Sequence, residues 1–441
     1  MNGTQIRLWL YRTTLSVRGL FAQLICFCRM LWRKAQLRGI GYHSSTEFRV
    51  GDSSVSKEWL SGLLRERVVK CTMSALPDSR GMVGVIRKLS VELDNRSVMH
   101  LALKTSHNGW KGRRNVIASG AYREPLFYSS PLLAGLKDTQ LSCPTVYYSF
   151  GSATLGEYVI LMEDLTEQTQ NAGLVFGNQI WGVPENFTEE FSKRPEFEPV
   201  RVLYRVFEQQ ADMNAMFFND PTLLEQKWLK GSEWHVDSGR MSWVSSIRSA
   251  KRSLAAAKQR LLSDPELKIS KKLISILERS LDVSSWELLI RHLKDPKTPF
   301  TLCHGDLHAK NLLLTKAGDQ VLHVDWAEVC VWEPGVDLAQ MLISDVKPSV
   351  FREHSEALVT HYWERLISKA GLTEKDYPFE GCWESFCSGG VGKWLWVFAI
   401  MAGIPKLPAP LLQYFHDQLL AFIEAFCDRP FFELRSVVLL L

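Results

Sequence analysis

The spacing of apolar and polar positions changes along this chain. From Ser56 to Lys70 the residues Trp59, Leu60, Leu63, Leu64 and Val68 recur at helical intervals, which predicts a helix opening the folded part. Runs rich in β-branched residues then predict strands at Met82 to Leu93, with a turn at Gly84, and at Val98 to Lys104, Thr145 to Phe150 and Tyr158 to Met162. Between the second and third runs, Val116 to Ser130 carries Tyr122, Leu126 and Phe127 at helical spacing. The expected order is strand, strand, strand, helix, strand, strand, a small α+β unit.

From Glu167 onward long helical patterns take over. Asn171 to Pro184, with Gly, Asn and Pro, predicts a loop, and Val200 to Phe217 is strongly amphipathic. Further helices are expected at Met241 to Leu262, Ser270 to Asp282, Ser284 to Leu293, Ser349 to Ala370, Glu384 to Met401 and Pro410 to Cys427. The layout is a small strand-rich lobe followed by a large helical one, with divisions expected at 1–46, 47–165 and 166–441.

Composition narrows the class. At 441 residues and 46% hydrophobic content, the chain can bury one large core or two medium ones, which excludes a disordered or fibrous protein. Its 52 basic and 48 acidic residues nearly balance, so no nucleic-acid partner is expected over the surface. Nine cysteines without a C-x-x-C pair argue against a zinc site and a secreted disulfide framework.

Residues 1–46 differ in kind. They hold Arg7, Arg12, Arg18, Arg29, Arg33, Lys34 and Arg38 and no acid before Glu47. That pattern suits a mitochondrial or plastid transit peptide, a helix lying on an anionic membrane surface, or a plain extension. An intracellular address, cytoplasmic or mitochondrial, is expected.

Chemistry concentrates in HGDLHAKNLLL, His304 to Leu314, followed by Val321 to Val324 and then Asp325-Trp326. Phosphoryl transfer from ATP needs a carboxylate to accept or orient the attacking hydroxyl, and oxygen ligands to hold magnesium against the phosphates. Asp306 and Asn311 stand five apart, the spacing of a kinase catalytic loop. Asp325 follows after a hairpin closed by Lys316-Ala317-Gly318-Asp319, where the main magnesium ligand of a kinase stands. A lone Asp would be taken as a turn or cap residue, but His304, Asn311 and Asp325 at matching offsets argue otherwise. His304 is expected to brace the loop, and His308 and His323 to pack or hydrogen-bond, because magnesium prefers oxygen donors.

The order H-G-D-x-H-x-x-N, hydrophobic-D-W, P-G-x-D-L-A resembles the aminoglycoside phosphotransferase and choline-kinase-like superfamily, across roughly residues 50–430 and most sharply from His304 to Met341. The resemblance implies a two-lobed protein-kinase-like fold with a small antiparallel-sheet N-lobe and a larger helical C-lobe. It implies ATP and Mg2+ as cofactors, Asp306 as the base, Asn311 and Asp325 as metal ligands, and Asp337 as support for the loop from behind. Asp337 can equally be a helix cap.

A kinase small lobe also supplies a cation to the phosphates. Lys104 ends a strand-like run and Glu124 follows by 20, so the two are expected to pair, although Pro125 disfavours helical geometry at Glu124 unless the helix starts there. Gly81 and Gly84 stand where a phosphate-covering turn belongs, in a sequence that is also an ordinary β-turn. YVILMEDL ends a buried strand and resembles an inter-lobe hinge, where backbone groups of Met162, Glu163, Asp164 and Leu165 would meet adenine.

The acceptor is expected to be a small molecule bearing a hydroxyl, such as an alcohol, amino alcohol, sugar or steroid. Trp383, Trp394 and Trp396 beside Glu384 either line a cation pocket or pack the core. The basic run from Arg248 to Arg260 is either a solvated helix face or a patch for an anionic partner. A pseudokinase-like scaffold stays as the alternative class, although Lys104, Asp306, Asn311 and Asp325 favour an enzyme. A protein kinase is disfavoured, because no D-F-G and no room for an activation segment follow Asp325.

Overall fold

A computed structural model describes residues 55–80, 84–180, 183–184, 191, 193–404 and 407–427. The basic leader, residues 1–46, and Gly81 lie outside the described residues. The chain divides into two compact units, one running up to Leu126 and adding Thr145–Asp164, the other made of Phe127–Pro144 and the chain from Leu165 on. Phe127–Pro144 thus counts with the second unit.

The first unit is an antiparallel sheet of β1 (Val68–Arg80), β2 (Gly84–Leu93), β3 (Val98–Ser106), β4 (Val146–Ser152) and β5 (Glu157–Glu163), ordered β1-β2-β3-β5-β4. Leu89, Val91, Leu101, Leu103, Val159 and Leu161 alternate toward one face. That face is covered by the helix Lys57–Leu64, whose Trp59 and Leu60 are buried. Ser56 caps this helix by accepting from the Trp59 N–H at 3.0 Å.

Three sequence expectations fail here for local reasons. The opening helix stops at Leu64, because Arg65 turns left-handed at φ 55°, and Val68 to Lys70 begin β1 instead. No glycine marks that stop. The first strand is therefore Val68–Arg80 and does not fall within Met82 to Leu93. The single helix expected over Val116 to Ser130 is broken into Gly109–Ser119 and Arg123–Tyr128 by Gly120 at φ 74°. Pro125 then lies in the first turn of the second helix, where its missing N–H costs nothing.

The second unit is mostly helical. Pro199–Met216 packs against Pro348–Ala370, and Val336–Asp345 against Phe379–Ala402, around a core that includes Phe207, Leu338, Tyr362, Phe386 and Phe398. Phe379–Ala402 is long and apolar enough to cross a membrane, yet 72% of its apolar window is buried within the protein. Gly389 and Gly390 let it approach closely, because a Cβ at either would collide with Val336 or Ala339 on the neighbouring helix. The whole is an α+β chain with a small antiparallel sheet region and a helical C-terminal part, as expected.

Candidate active site

Buried polar residues of the helix Pro199–Met216 anchor the strands that carry the motif. Asn214 donates to the Leu302 carbonyl at 2.8 Å, its own carbonyl accepts from Thr301, and its side-chain oxygen accepts from Tyr362 at 2.6 Å. Gln209 donates to Gln140 and Val321 carbonyls at 3.0 Å each. Its remaining oxygen accepts from His323 at 2.9 Å. These bonds hold the strand Thr301–Cys303 before the catalytic motif and the hairpin Leu312–Thr315/Val321–His323 after it. The expected turn at Lys316 to Asp319 closes that hairpin.

The loop between them is fixed from behind. Asp337 accepts from the backbone N–H of His304 at 2.6 Å and of Gly305 at 3.0 Å. It is not the cap of its helix, since Gly335 holds that position. Burial pushes the Asp337 carboxyl up to about 6, against Lys393 and the two N–H groups. Gly305 sits at φ 76° with its Cα against the Glu328 carbonyl, so a side chain there would be strained and crowded at once.

His304 is fully buried and its pKa is pulled down to about 4 by desolvation, so its ring is neutral. Nδ1 accepts the Asp306 N–H at 3.3 Å, which places the ring proton on Nε2, donated to the Val324 carbonyl at 3.0 Å. Both ring nitrogens are spent on backbone, which makes His304 a brace between the loop and the residue before Asp325.

Asp306 itself is partly open, its side chain 38% exposed. Gln340 donates to Oδ1 at 2.9 Å, while His308 lies 3.5 Å from Oδ2 and Lys393 3.8 Å from Oδ1. Burial opposes its charge, but His308, Lys393 and His304 outweigh burial and hold the carboxyl well below the usual carboxylate range. In return, and against desolvation, Asp306, Asp345 and Asp325 raise the pKa of His308.

Asn311 is buried and turns its amide nitrogen to the Asp306 carbonyl at 2.9 Å, which leaves Oδ1 as the atom for a cation. The Asn311 carbonyl accepts from Val324 N–H at 2.9 Å, so Asp325 follows directly on the residue bonded to Asn311. Asp325 is left-handed at φ 61° and ψ 65°, a conformation costing a non-glycine residue roughly 1 kcal/mol or more and common at functional positions. No group of three or more His, Cys, Asp or Glu suited to a metal occurs among the described residues. Two hard oxygen donors still fit magnesium, which keeps several waters and takes oxygens from phosphates.

In the first unit Lys104, on central strand β3, pairs with Glu124 at 2.6 Å, and both side chains are largely buried. Gly84 opens β2, hydrogen-bonded in register with Ser106, and the space a Cβ would need is filled by Tyr158 and the Thr105 carbonyl. The expected hinge is more committed than its sequence implied. The Glu163 N–H is donated to Thr145 and that of Asp164 to His100. The Leu165 carbonyl accepts from Gln168 and Thr169, so these three groups are not available to adenine without breaking a bond. Met162 pairs with Ala102 and Val146, and the Asp164 side chain meets Lys88 at 2.8 Å.

Gln340, Lys393 and Lys88 escaped the sequence reading. Gln340 lies three residues after Asp337 and so on the same helix face, and Lys393 is a single cation inside an apolar helix, a pattern that flags a buried partner. Trp383 and Trp394 take the packing alternative: Trp383 packs tilted or edge-on among Phe379, Phe386 and Phe426, and Trp394 tilted against Phe415. In the basic run, Lys251, Lys258 and Arg260 pair with Asp282, Glu278 and Asp264, as a solvated helix face does.

A carboxylate loop braced from behind, followed by Asn and Asp oxygen donors, is the arrangement of a phosphotransferase. Residues 240–373 match the sequence model of the ecdysteroid kinase-like family, a stretch that contains His304, Asp306, Asn311, Asp325 and Asp337. The match bears out the superfamily resemblance and the class expected from sequence, a small-molecule kinase. No curated protein matches the sequence. Among solved structures, ethanolamine kinase of Plasmodium vivax is similar at 12% identity, over 89% of this chain and 93% of that one, with a TM-score of 0.45. A microcompartment-associated aminopropanol kinase is similar at 12% identity over 80% and 90% of the two chains, TM-score 0.39. Macrolide 2'-phosphotransferase type I follows at 13% identity over 83% and 99%, TM-score 0.36.

Proposed function

We propose that this protein moves the γ-phosphate of ATP, with magnesium, to a hydroxyl of a small molecule. The observation that carries the proposal is the Asp306 carboxylate, partly open on a loop whose other polar groups are tied down by Asp337, His304 and Asn311. Held ionised by His308 and Lys393, Asp306 is a weak base but a good acceptor for a hydroxyl proton. That suits a loose transition state, in which the nucleophile is oriented first and loses its proton late. Asn311 and Asp325 would hold the metal, Lys104 fixed by Glu124 would meet the phosphates, and bound ATP would supply the phosphoryl group.

The experiment is a screen of purified protein for ATP consumption against hydroxyl compounds, with Asp306→Asn as control. The substitution should slow transfer about a hundredfold or more while leaving nucleotide binding by calorimetry nearly unchanged. An unaltered rate removes Asp306 from the mechanism. Asp325→Ala should instead weaken nucleotide binding only when magnesium is present, and equal loss with and without the metal would argue against its ligand role.

A further inference from the structure

The helix Val336–Asp345 meets the catalytic loop at three places. Asp337, in its first turn, holds the N–H groups of His304 and Gly305, and Gln340 holds Asp306. The third contact comes from its last residue, Asp345, which accepts from the Ala309 N–H at 2.7 Å. Asp337 and Asp345 stand eight positions apart on one helix. That is a rigid span of about 12 Å. Asp306 lies between the two points they grip, and Asn311 lies just beyond the second.

Local electrostatics disfavour an acid where Asp345 stands. The last turn of a helix presents its carbonyl ends, which repel a carboxylate, and Asp345 is also only 2% exposed. Burial pushes its carboxyl up, against His308 and the Ala309 N–H. An acid kept where both the helix dipole and desolvation oppose it serves its partners rather than its helix. The helix end that carries it is itself fixed. Gln418 donates to the Ile343 and Val346 carbonyls at 3.0 and 2.9 Å, and Tyr414 to the Ser344 carbonyl at 2.8 Å. The helix Ala409–Phe426 thus satisfies carbonyls that the terminal turn leaves over.

Asp345 holds the turn that carries Asn311. Ala309 is fully buried and opens the short turn Ala309–Asn311, which closes as the Asn311 N–H meets the His308 carbonyl at 2.9 Å. From the other side Asn171 donates to the Lys310 carbonyl at 2.9 Å. With this backbone fixed and its amide nitrogen on the Asp306 carbonyl, the Asn311 side chain has its oxygen aimed in one direction.

We propose that Asp345 is a positioning residue for the metal: by fixing Ala309 it sets where Asn311 Oδ1 stands, as Asp337 fixes the start of the same loop. The metal role of Asn311 rests on the phosphotransferase proposal, whereas the hold on the turn does not.

Two readouts on the full chain separate these claims. Residue-resolved hydrogen exchange reports the turn, and calorimetric titration of ATP at a series of magnesium concentrations reports the metal. Asp345→Ala should speed exchange at the Ala309 and Asn311 amides about tenfold or more, while His304 and Gly305 stay protected. It should also raise the magnesium concentration for half-maximal nucleotide binding about tenfold, the order of loss when a group behind a metal ligand is removed, and leave binding without metal unchanged. Asp345→Asn keeps an oxygen for Ala309 and should return both readouts to within about threefold of the wild type. Should the alanine variant fail to fold, Asp345→Glu, which keeps the acid but displaces its oxygens, carries the same expectation. A lowered urea midpoint in Asp345→Ala with an unchanged magnesium dependence overturns the proposal, and so does an asparagine variant as impaired as the alanine one. If exchange at Ala309 accelerates as expected but wild-type nucleotide binding ignores magnesium, the hold on the turn stands and the phosphotransferase proposal falls.

Discussion

At the scale of single residues, the site works through orientation fixed by partners of one kind. Lys393 can only donate, so the Gln340 oxygen must face it, and the Gln340 amide nitrogen is then turned to Asp306. Lys393 and Gln340 thus form a relay that aims one carboxylate oxygen, while the other faces His308 at 3.5 Å and accepts from the Asn311 amide at 3.4 Å. Removing either end should misplace Asp306 rather than remove it. We expect Lys393→Met and Gln340→Leu each to lower kcat about ten- to a hundredfold with little change in KM for ATP, since small misplacements carry costs of that order. If the two act as one relay, the double variant should be no slower than the worse single variant. Strictly multiplicative losses in steady-state kinetics would separate them.

At the scale of elements, the relay depends on two helices touching where both are nearly bare. Gly389 and Gly390 let the helix Phe379–Ala402 seat on Val336–Asp345, and Lys393 stands one turn further along. Gly390→Val would overpack that contact against Ala339, at an expected cost of about 1–3 kcal/mol in urea denaturation, with a disproportionate loss of activity as Lys393 is pushed away. Loss of stability without that extra loss of activity would mean the contact positions nothing. Elements also set what the sequence could reveal. The long helices of the second unit fall within a few residues of their expected bounds, because most carry an apolar stripe several turns long, as Pro199–Met216 does, and Phe379–Ala402 is a long apolar run. The helix Val336–Asp345 is buried along its whole length and shows no stripe, and β1 follows a non-glycine left-handed residue that composition does not announce.

Over the whole molecule, buried histidines set the response to acid. His304 and His235 are pulled down to about 4 and His323 further, each chiefly by desolvation, so the folded protein keeps them neutral while the unfolded chain protonates near 6.5. Their stabilisation is complete above about pH 6.5 and is lost as pH falls toward 4. Asp337 runs the other way. Its carboxyl, raised to about 6, holds a proton the unfolded chain has released, so its stabilisation is lost as pH rises from about 4 to 6. The three histidines make stability decline on acidification across that window, opposed by Asp337 and also by Asp345 and His308, whose pKa values are raised as well. His235 rests against the rings of Phe300 and Trp332, so His235→Phe should be accommodated and should flatten the decline by about one proton. Urea midpoints at pH 7 and pH 4.5 for both proteins would show it, and an unchanged slope would discount His235.

The sequence by itself determined the parts that depend on spacing along the chain. The Asp306, Asn311 and Asp325 offsets, the Lys104 and Glu124 pair, and the change from strand to helix periods all follow from residues a fixed number of bonds apart. Only the tertiary structure decided what depends on contacts between distant segments. It chose loop support over capping for Asp337, assigned Trp383 and Trp394 to packing, spent hinge backbone groups on bonds to Thr145, His100 and the turn at Gln168 and Thr169, and brought Lys393 and Gln340 to the catalytic loop. The reason is that a lone polar residue in an apolar stretch signals only that some partner must exist, whereas folding selects which one.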